Sequence, residues 1–463
     1  MLRQLKNPPN SFPANNLPRR ACWRKKQVHL PNTDRFDFGL PNLAGLKGTI
    51  CIILTDMQPI RTNSLLTDYP GQRIFTVVIA AMFLLFLSCD KSTEPSISEG
   101  TFVITDCTLI DGTGHAPIPN AAMVISEGLI AAVGSADSTI IPEDARVIDV
   151  DGATVLPGFI NAHVHGGFNR ENLEAWARSG VTTVRDLGGP SSFAWKNEIS
   201  KDPSCALLVA AGPMISVPNG YPLVPWGSHN MLPVNSPEEA QAEIARLLQA
   251  GADIVKLAME SGETFQMTIP SLTAEEASAA VNAAHQHGTV ASAHVLVTGD
   301  LARAVEAGVD DVAHMVMDYL PDSLINVMLD DSILWVPTLE LWHHVEAGLG
   351  DAAINNLRKY VEAGGSIALG TDYDGYNAVF QLGMPIHEME WMLQAGMSPM
   401  QVIIAGTKNA ALACNRSADL GTLEVGKIAD VLVVNGNPLA DIHNLANVRL
   451  VIHRGVIIRN AGS

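Results

Sequence analysis

The chain has 463 residues, 47% hydrophobic and only 17% charged, enough for a large buried core and at least one accessory domain. Its formal net charge of −19 argues against nucleic acid as a partner, although an acidic surface alone identifies no substrate. The sequence carries no P-loop, no Rossmann glycine pattern and no Gly-x-Ser-x-Gly elbow, which sets aside the classes those motifs mark.

Residues 1–72 are rich in Pro, Asn, Arg and Lys and fit neither a signal nor a domain, so they read as a disordered or over-extended leader. Met57 makes a more regular signal-peptide start, with Arg61 and Arg73 as its positive region. Residues 73–89 read as the signal itself. Their apolar run, Ile74 to Ser88, is shorter than the roughly 20 residues of a membrane span. The run closes in LFLSC, which resembles a bacterial lipobox and implies export, cleavage before Cys89 and a lipid anchor on its sulfur at the periplasmic side of a membrane. Asp90 favours retention at the inner membrane, and 90–99 is a polar linker; the alternative is a plain secretory signal with an incidental cysteine. Cys107, Cys205 and Cys414 are widely spaced, so neither a disulfide framework nor a thiolate metal site is expected.

From residue 100 the pattern becomes one of short alternating runs, FVITDCTLIDG and AAMVISEGLIAAVG, separated by Gly, Asn and Asp turns. Similar runs return at the other end, KIADVLVVNGNP and VRLVIHRGVII. Each set would be marginal alone, so 100–153 and 420–463 are expected to build one discontinuous β-sandwich. Between them, 154–419 alternates apolar runs with helical segments. Strand-like runs begin near Thr154, Val181, Ala206, Asp253, Thr289, Asp310, Ile333 and Ser366. Helices follow at 237–249 after the N-cap candidate Ser236, and at 274–287 after a Thr273-x-x-Glu276 capping box. This alternation is the pattern of an α/β fold, a (β/α)8 TIM barrel with its active site at the C-terminal ends of the strands.

Chemistry-bearing residues fall at those ends. In VLPGFINAHVHGG, Val155 to Ile160 read as a buried strand, with His163 and His165 two apart just beyond it. Strand residues i and i+2 share a face, so both imidazoles can reach one ion at about 2.0–2.1 Å. Lys256 sits in ADIVKLA, where a lone buried charge is costly. Burial lowers a lysine pKa, and the neutral amine can add carbon dioxide to give a carbamate whose two oxygens bridge two cations. The competing reading is a lysine that snorkels to the rim or pairs with Asp253. His294 and His314 close the next two runs, and Asp372 in GGSIALGTDYDG supplies a carboxylate able both to ligate and to accept a proton. Asp374 competes for that role but suits the following turn. Substrate contacts are expected from Tyr221, Trp226 and His229 in the third loop, from Trp342, His343 and His344 after the seventh strand, and from Tyr373 and Tyr376 after the eighth. Arg185 is a candidate carboxylate clamp.

Taken together, HVH, the Lys of IVKL, the His of SAHV, the His of VAHM and the Asp of GTD resemble the ligand series of binuclear members of the amidohydrolase superfamily. The closest branch by motif is the imidazolonepropionase-related group that includes Xaa-Pro dipeptidases, and the resemblance runs from about Gly100 to Ile458. It implies two divalent ions of the zinc type: His163, His165 and Asp372 on the first, His294 and His314 on the second, and carboxylated Lys256 between them. It further implies a bridging hydroxide that attacks a C–N amide bond of a small molecule, a dipeptide or N-acyl amino acid, with Asp372 as general base. The alternatives are a mononuclear cyclic-amide hydrolase or deaminase, a lactone or phosphotriester hydrolase, and a non-catalytic surface binder. Those mononuclear branches commonly lack the bridging lysine, and many deaminases place a glutamate soon after the fifth-strand histidine, where this chain has Val295, Leu296 and Val297. The lipobox reading has its own check: mass spectrometry of membrane-extracted protein is expected to show a diacylglyceryl group on Cys89, and a soluble, unmodified product would reject it.

Overall fold

The computed structural model describes residues 100–345, 349–375 and 380–461; the expected leader, signal, Cys89 anchor and linker lie outside the described residues, as does Tyr376. The first strands are β1 (Phe102–Leu109), β2 (Ile118–Ser126), β3 (Leu129–Ser135), β4 (Arg146–Asp149) and β5 (Thr154–Pro157). β1 pairs antiparallel with β2 along its length, and parallel with β4 at its start and β5 at its end. The run read from sequence as one strand, Val155 to Ile160, is therefore two. Residues to Pro157 belong to the flanking sheet, and the barrel begins at β6 (Phe159–Val164). Gly158 makes the transfer: a Cβ there would lie 2.3 Å from Thr182 Oγ1, so no side chain fits where the chain changes sheets.

β6 pairs in parallel with β7 (Val181–Asp186), and β7 with β8 (Leu207–Ala210). The third barrel strand is interrupted after β8 and resumes as β9 (Met214–Ser216), flanked by β10 (Met231–Pro233). Ile215 of β9 pairs with Leu257 of β11 (Val255–Ala258), which passes the sheet on to β12 (Ala291–His294), β13 (Asp311–Ala313) and β14 (Leu334–Val336). Residues 366–373 close the ring. Trp335 of β14 bridges Ile367 on one side and Val164 of β6 bridges Tyr373 on the other, while Ala162 N–H donates to Leu369 O at 2.7 Å. The helices keep their expected signals: Ser236 caps Pro237–Ala250, and Thr273 and Glu276 form a complete capping box on Ala274–Gln286.

The chain then returns to the flanking sheet as β15 (Val431–Val434), β16 (Val448–His453) and β17 (Val456–Asn460), with β15 antiparallel to β5. Both flanks thus make one eight-stranded sheet in the order β17-β16-β15-β5-β1-β2-β3, with β4 on β1. An antiparallel bridge from Leu129 to Ile428 brings the β3 edge back to the approach of β15. Ile104, Met123, Val155, Val433 and Ile452 share the core this sheet encloses, which is the discontinuous domain expected from the alternating runs.

Deep in the barrel, Ala410, Ala411, Ala413 and Cys414 cluster with Ile160, Ala162, Val209 and Leu334. Arg185 lies among these residues rather than in the mouth. It donates to Asp311 through two nitrogens at 2.7 and 2.9 Å, and to the carbonyls of Ala162 and Ala413 at 2.6 and 2.7 Å. Both partners of the pair are fully buried, so Arg185 is not a substrate clamp. Removing one partner of such a pair strands the other charge. Asp311→Ala is expected to lower the urea unfolding free energy by about 3–5 kcal/mol, against less than about 1 kcal/mol for Glu174→Ala at the exposed Arg170–Glu174 pair; equal losses would show the buried pair to be unimportant.

Candidate metal centre

β6 carries His163 as its next-to-last residue, and His165 follows just past its end on the same face. The bridge between Val164 and Tyr373, and hydrogen bonds from Thr371 N–H and Asp372 N–H to His163 O, carry Asp372 to the two rings. Asp372 Oδ1 lies 3.1 Å from His163 Nε2 and 3.0 Å from His165 Nε2, and the two nitrogens are 3.3 Å apart. Donors bound at about 2.0–2.1 Å around one tetrahedral ion are roughly 3.3 Å from each other. Among the described residues these three alone form a converging group of His, Cys, Asp or Glu donors. Burial lowers the His163 pKa to about 3 despite the opposing charge of Asp372, so its ring is neutral and able to ligate. Burial acts against ionised Asp372, but the His163 and His165 rings outweigh it and hold the carboxyl well below its usual range. At His165 burial is again opposed, by Asp372 and by Asp186, and the pKa rises.

Lys256, on β11, is buried and its Nζ has no hydrogen-bond partner. Asp253, the alternative partner read from sequence, is instead held by Lys196 Nζ at 2.6 Å. Burial brings the Lys256 pKa down to about 7, which populates the neutral amine that a carbamate requires. His294 and His314 close β12 and follow β13, with ring centroids 4.7 Å apart, and His314 lies 4.9 Å from His163. Burial lowers both pKa values. His314 Nδ1 meets Thr338 Oγ1 at 2.9 Å, and its carbonyl accepts from Trp335 Nε1 at 2.6 Å. Lys256 Nζ and His294 Nε2 are thus buried with no hydrogen-bond partner, while Asp372 Oδ1 meets the two histidine nitrogens. A donor set of imidazoles with one carboxylate fits a divalent metal ion.

The substrate candidates divide. Tyr221 stacks on His294 with centroids 4.2 Å apart, and burial raises its phenol pKa. Trp342 is buried with its edge toward His314, 6.3 Å away. The Tyr373 ring instead meets Trp176, at 5.2 Å, under the helix Arg170–Ser179; its backbone serves the site while its ring packs outside the barrel. His343 stacks flat on Trp391 at 3.4 Å, and His229 is exposed between β9 and β10. Trp226 is exposed beside Phe265, and the His344 side chain lies outside the described residues. Three site residues were not read from sequence. Glu260 is fully buried beyond β11, with Oε2 3.5 Å from His294 Nε2; its signal was an acidic residue inside the apolar run LAME. Asp186, at the end of β7, accepts from Gly167 N–H at 2.9 Å and Gly188 N–H at 3.1 Å beside His165. Thr338 had no signal beyond following a strand.

A parallel barrel with metal-type donors at the C-terminal ends of its strands, fused to a sheet built from both flanks, defines a metal-dependent hydrolase class. Residues 154–458 match the Amidohydrolase family, and the chain belongs to that family. Ochratoxinase of Aspergillus niger is 25% identical over 410 residues, covering 74% of this chain and 83% of the relative. Imidazolonepropionase of Symbiobacterium thermophilum is 26% identical over 369 residues, covering 69% and 85%. The crystal structure of a Xaa-Pro dipeptidase with bound methionine in its active site superposes with a TM-score of 0.66 at 26% identity, covering 77% of this chain and 99% of that one. Because Thr338 holds the face of His314 turned from the donors, Thr338→Val, which keeps the shape and removes the hydroxyl, is expected to weaken metal binding by about 10–100-fold in chelator competition; unchanged affinity would make the contact incidental.

Proposed function

We propose that this protein hydrolyses the C–N bond of small amide or peptide substrates, a dipeptide or N-acyl amino acid, using two divalent ions of the zinc type. The observation that carries the reading is Lys256, buried and partnerless on the strand next to His294, where burial favours the neutral amine that can take up carbon dioxide. His163, His165 and Asp372 would hold one ion, His294 and His314 the other, and carboxylated Lys256 would join them. The ions supply an acidified water and a Lewis acid for the scissile carbonyl. Asp372 stays ionised at neutral pH, so it can take the proton of the attacking water and deliver it to the leaving nitrogen. Tyr221, flat on His294, forms a wall against which the acyl portion can lie. The Xaa-Pro dipeptidase structure supports the dipeptide class, and the LFLSC segment supports attachment to the periplasmic side of a membrane through Cys89.

A mononuclear cyclic-amide hydrolase is the second reading, favoured by the similarity to imidazolonepropionase. Elemental analysis separates the two. Protein prepared with bicarbonate and without chelators is expected to hold two divalent ions per chain, Lys256→Ala at most one, and Asp372→Asn is expected to lower kcat on dipeptides by ~10²–10⁴-fold. Full turnover by a Lys256→Ala protein that still binds two ions would defeat the carbamate.

A further inference from the structure

Glu260 is a carboxylate outside the ligand series, buried against one of its histidines. It follows β11 by two residues and is fully buried. Its Oε1 accepts from Gly262 N–H at 2.6 Å. Gly262 has φ +89°, and a Cβ there would come within 2.5 Å of Met267 O, so the turn that pins this carboxylate admits only glycine. The other oxygen, Oε2, lies 3.5 Å from His294 Nε2, and neither atom has a hydrogen-bond partner. On the ring face of His294 lies Tyr221, at 4.2 Å, so the imidazole is confined from two directions.

The neighbouring histidine shows what this arrangement does. His314 offers Nδ1 to Thr338 Oγ1, which leaves Nε2 as its unassigned nitrogen. His294 turns Nε2 to Glu260, which leaves Nδ1. Each imidazole therefore sets one nitrogen against a protein oxygen, His314 at 2.9 Å and His294 at 3.5 Å. We infer that Glu260 is a positioning residue for His294: its carboxylate accepts the Nε2–H, fixes the tautomer with the lone pair on Nδ1, and aims that nitrogen at the second ion. The inference rests on the binuclear reading proposed above. An ion held on Nδ1 would make the Nε2–H a stronger donor toward the Glu260 carboxylate. Direct ligation of the second ion by Glu260 is the competing arrangement.

The test is metal affinity, read by chelator competition on the full chain loaded in bicarbonate, with the visible spectrum of cobalt-loaded protein as an independent signal. Glu260→Leu, which keeps bulk and removes the acceptor, is expected to weaken the second ion by about 10–100-fold and leave the first unchanged. Glu260→Gln, which retains a carbonyl acceptor, is expected to fall between Leu and wild type and serves if the Leu variant does not fold. Two ions at wild-type affinity in both variants would overturn the inference while leaving the binuclear reading intact. Loss of one ion outright in Glu260→Gln, with a changed cobalt spectrum, would overturn it in favour of direct ligation. A wild-type protein that holds fewer than two ions would remove the binuclear reading and the inference together.

Discussion

Burial decides the state of Lys256, and the Arg185–Asp311 ion pair keeps the opposing carboxylate engaged elsewhere. Across β11, β12 and β13, Lys256 stands in register with Ser292, and Ser292 with Asp311. Asp311 is the carboxylate that acts most strongly to keep Lys256 protonated. It is already committed, however, to two guanidinium nitrogens and to the Ser292 hydroxyl, which donates to it at 2.6 Å. The positive charge of Arg185 acts on Lys256 in the opposite direction. Neutralised in place, the pair cannot serve as counterion, and burial governs the lysine. Without Arg185, Asp311, two strand pairings away on β13, would act on the lysine unopposed.

Backbone strain is concentrated at the same level of the barrel. His314, Thr338 and Asp372 have φ values of 72°, 48° and 60°, in the left-handed region that non-glycine residues seldom occupy and β-branched ones least of all. Such conformations persist only where the surroundings hold them. Trp335 Nε1 donates to the carbonyl of His314. Beyond Thr338, the buried Glu388 carboxylate accepts from Leu339 N–H at 2.8 Å and Glu340 N–H at 2.7 Å. Burial raises the Glu388 pKa to about 8, so this anchor is itself poised between charged and neutral forms. The strained turn thus has a fixed point on each side, and the Thr338 hydroxyl is held against His314 between them.

What the sequence made legible follows from what periodicity can carry. Histidines and an aspartate at the ends of apolar runs mark strand termini, and strand termini define the mouth of a parallel barrel, so His163, His165, Lys256, His294, His314 and Asp372 could be read one by one. The two flanks could be joined because neither buries its apolar face alone. Facing was harder. The pairing of β6 with β7 shifts register twice, so counting residues from His163 does not say which way Arg185 points. Tyr373 fails for a related reason: the left-handed turn at Asp372 breaks the alternation and sends the next ring to the outside, onto Trp176. Gly158 had the least signal, since a change of sheet within an unbroken apolar run leaves no mark on hydropathy. Glu260 was passed over because a single acidic residue after a strand ordinarily means solvent.

The two groups of donors are built differently. His163, His165 and Asp372 come from segments joined directly by backbone hydrogen bonds, so their donors already converge. His294 and His314 come from adjacent strands as well, yet their orientation depends on side chains from elsewhere, Thr338 after β14 and the ring of Tyr221 from the third loop. On the proposed binuclear reading, the converging half would keep its ion and hold Asp372, the proton acceptor, in place, while the half built from loop-borne contacts would adjust to the substrate on the side where Tyr221 meets His294.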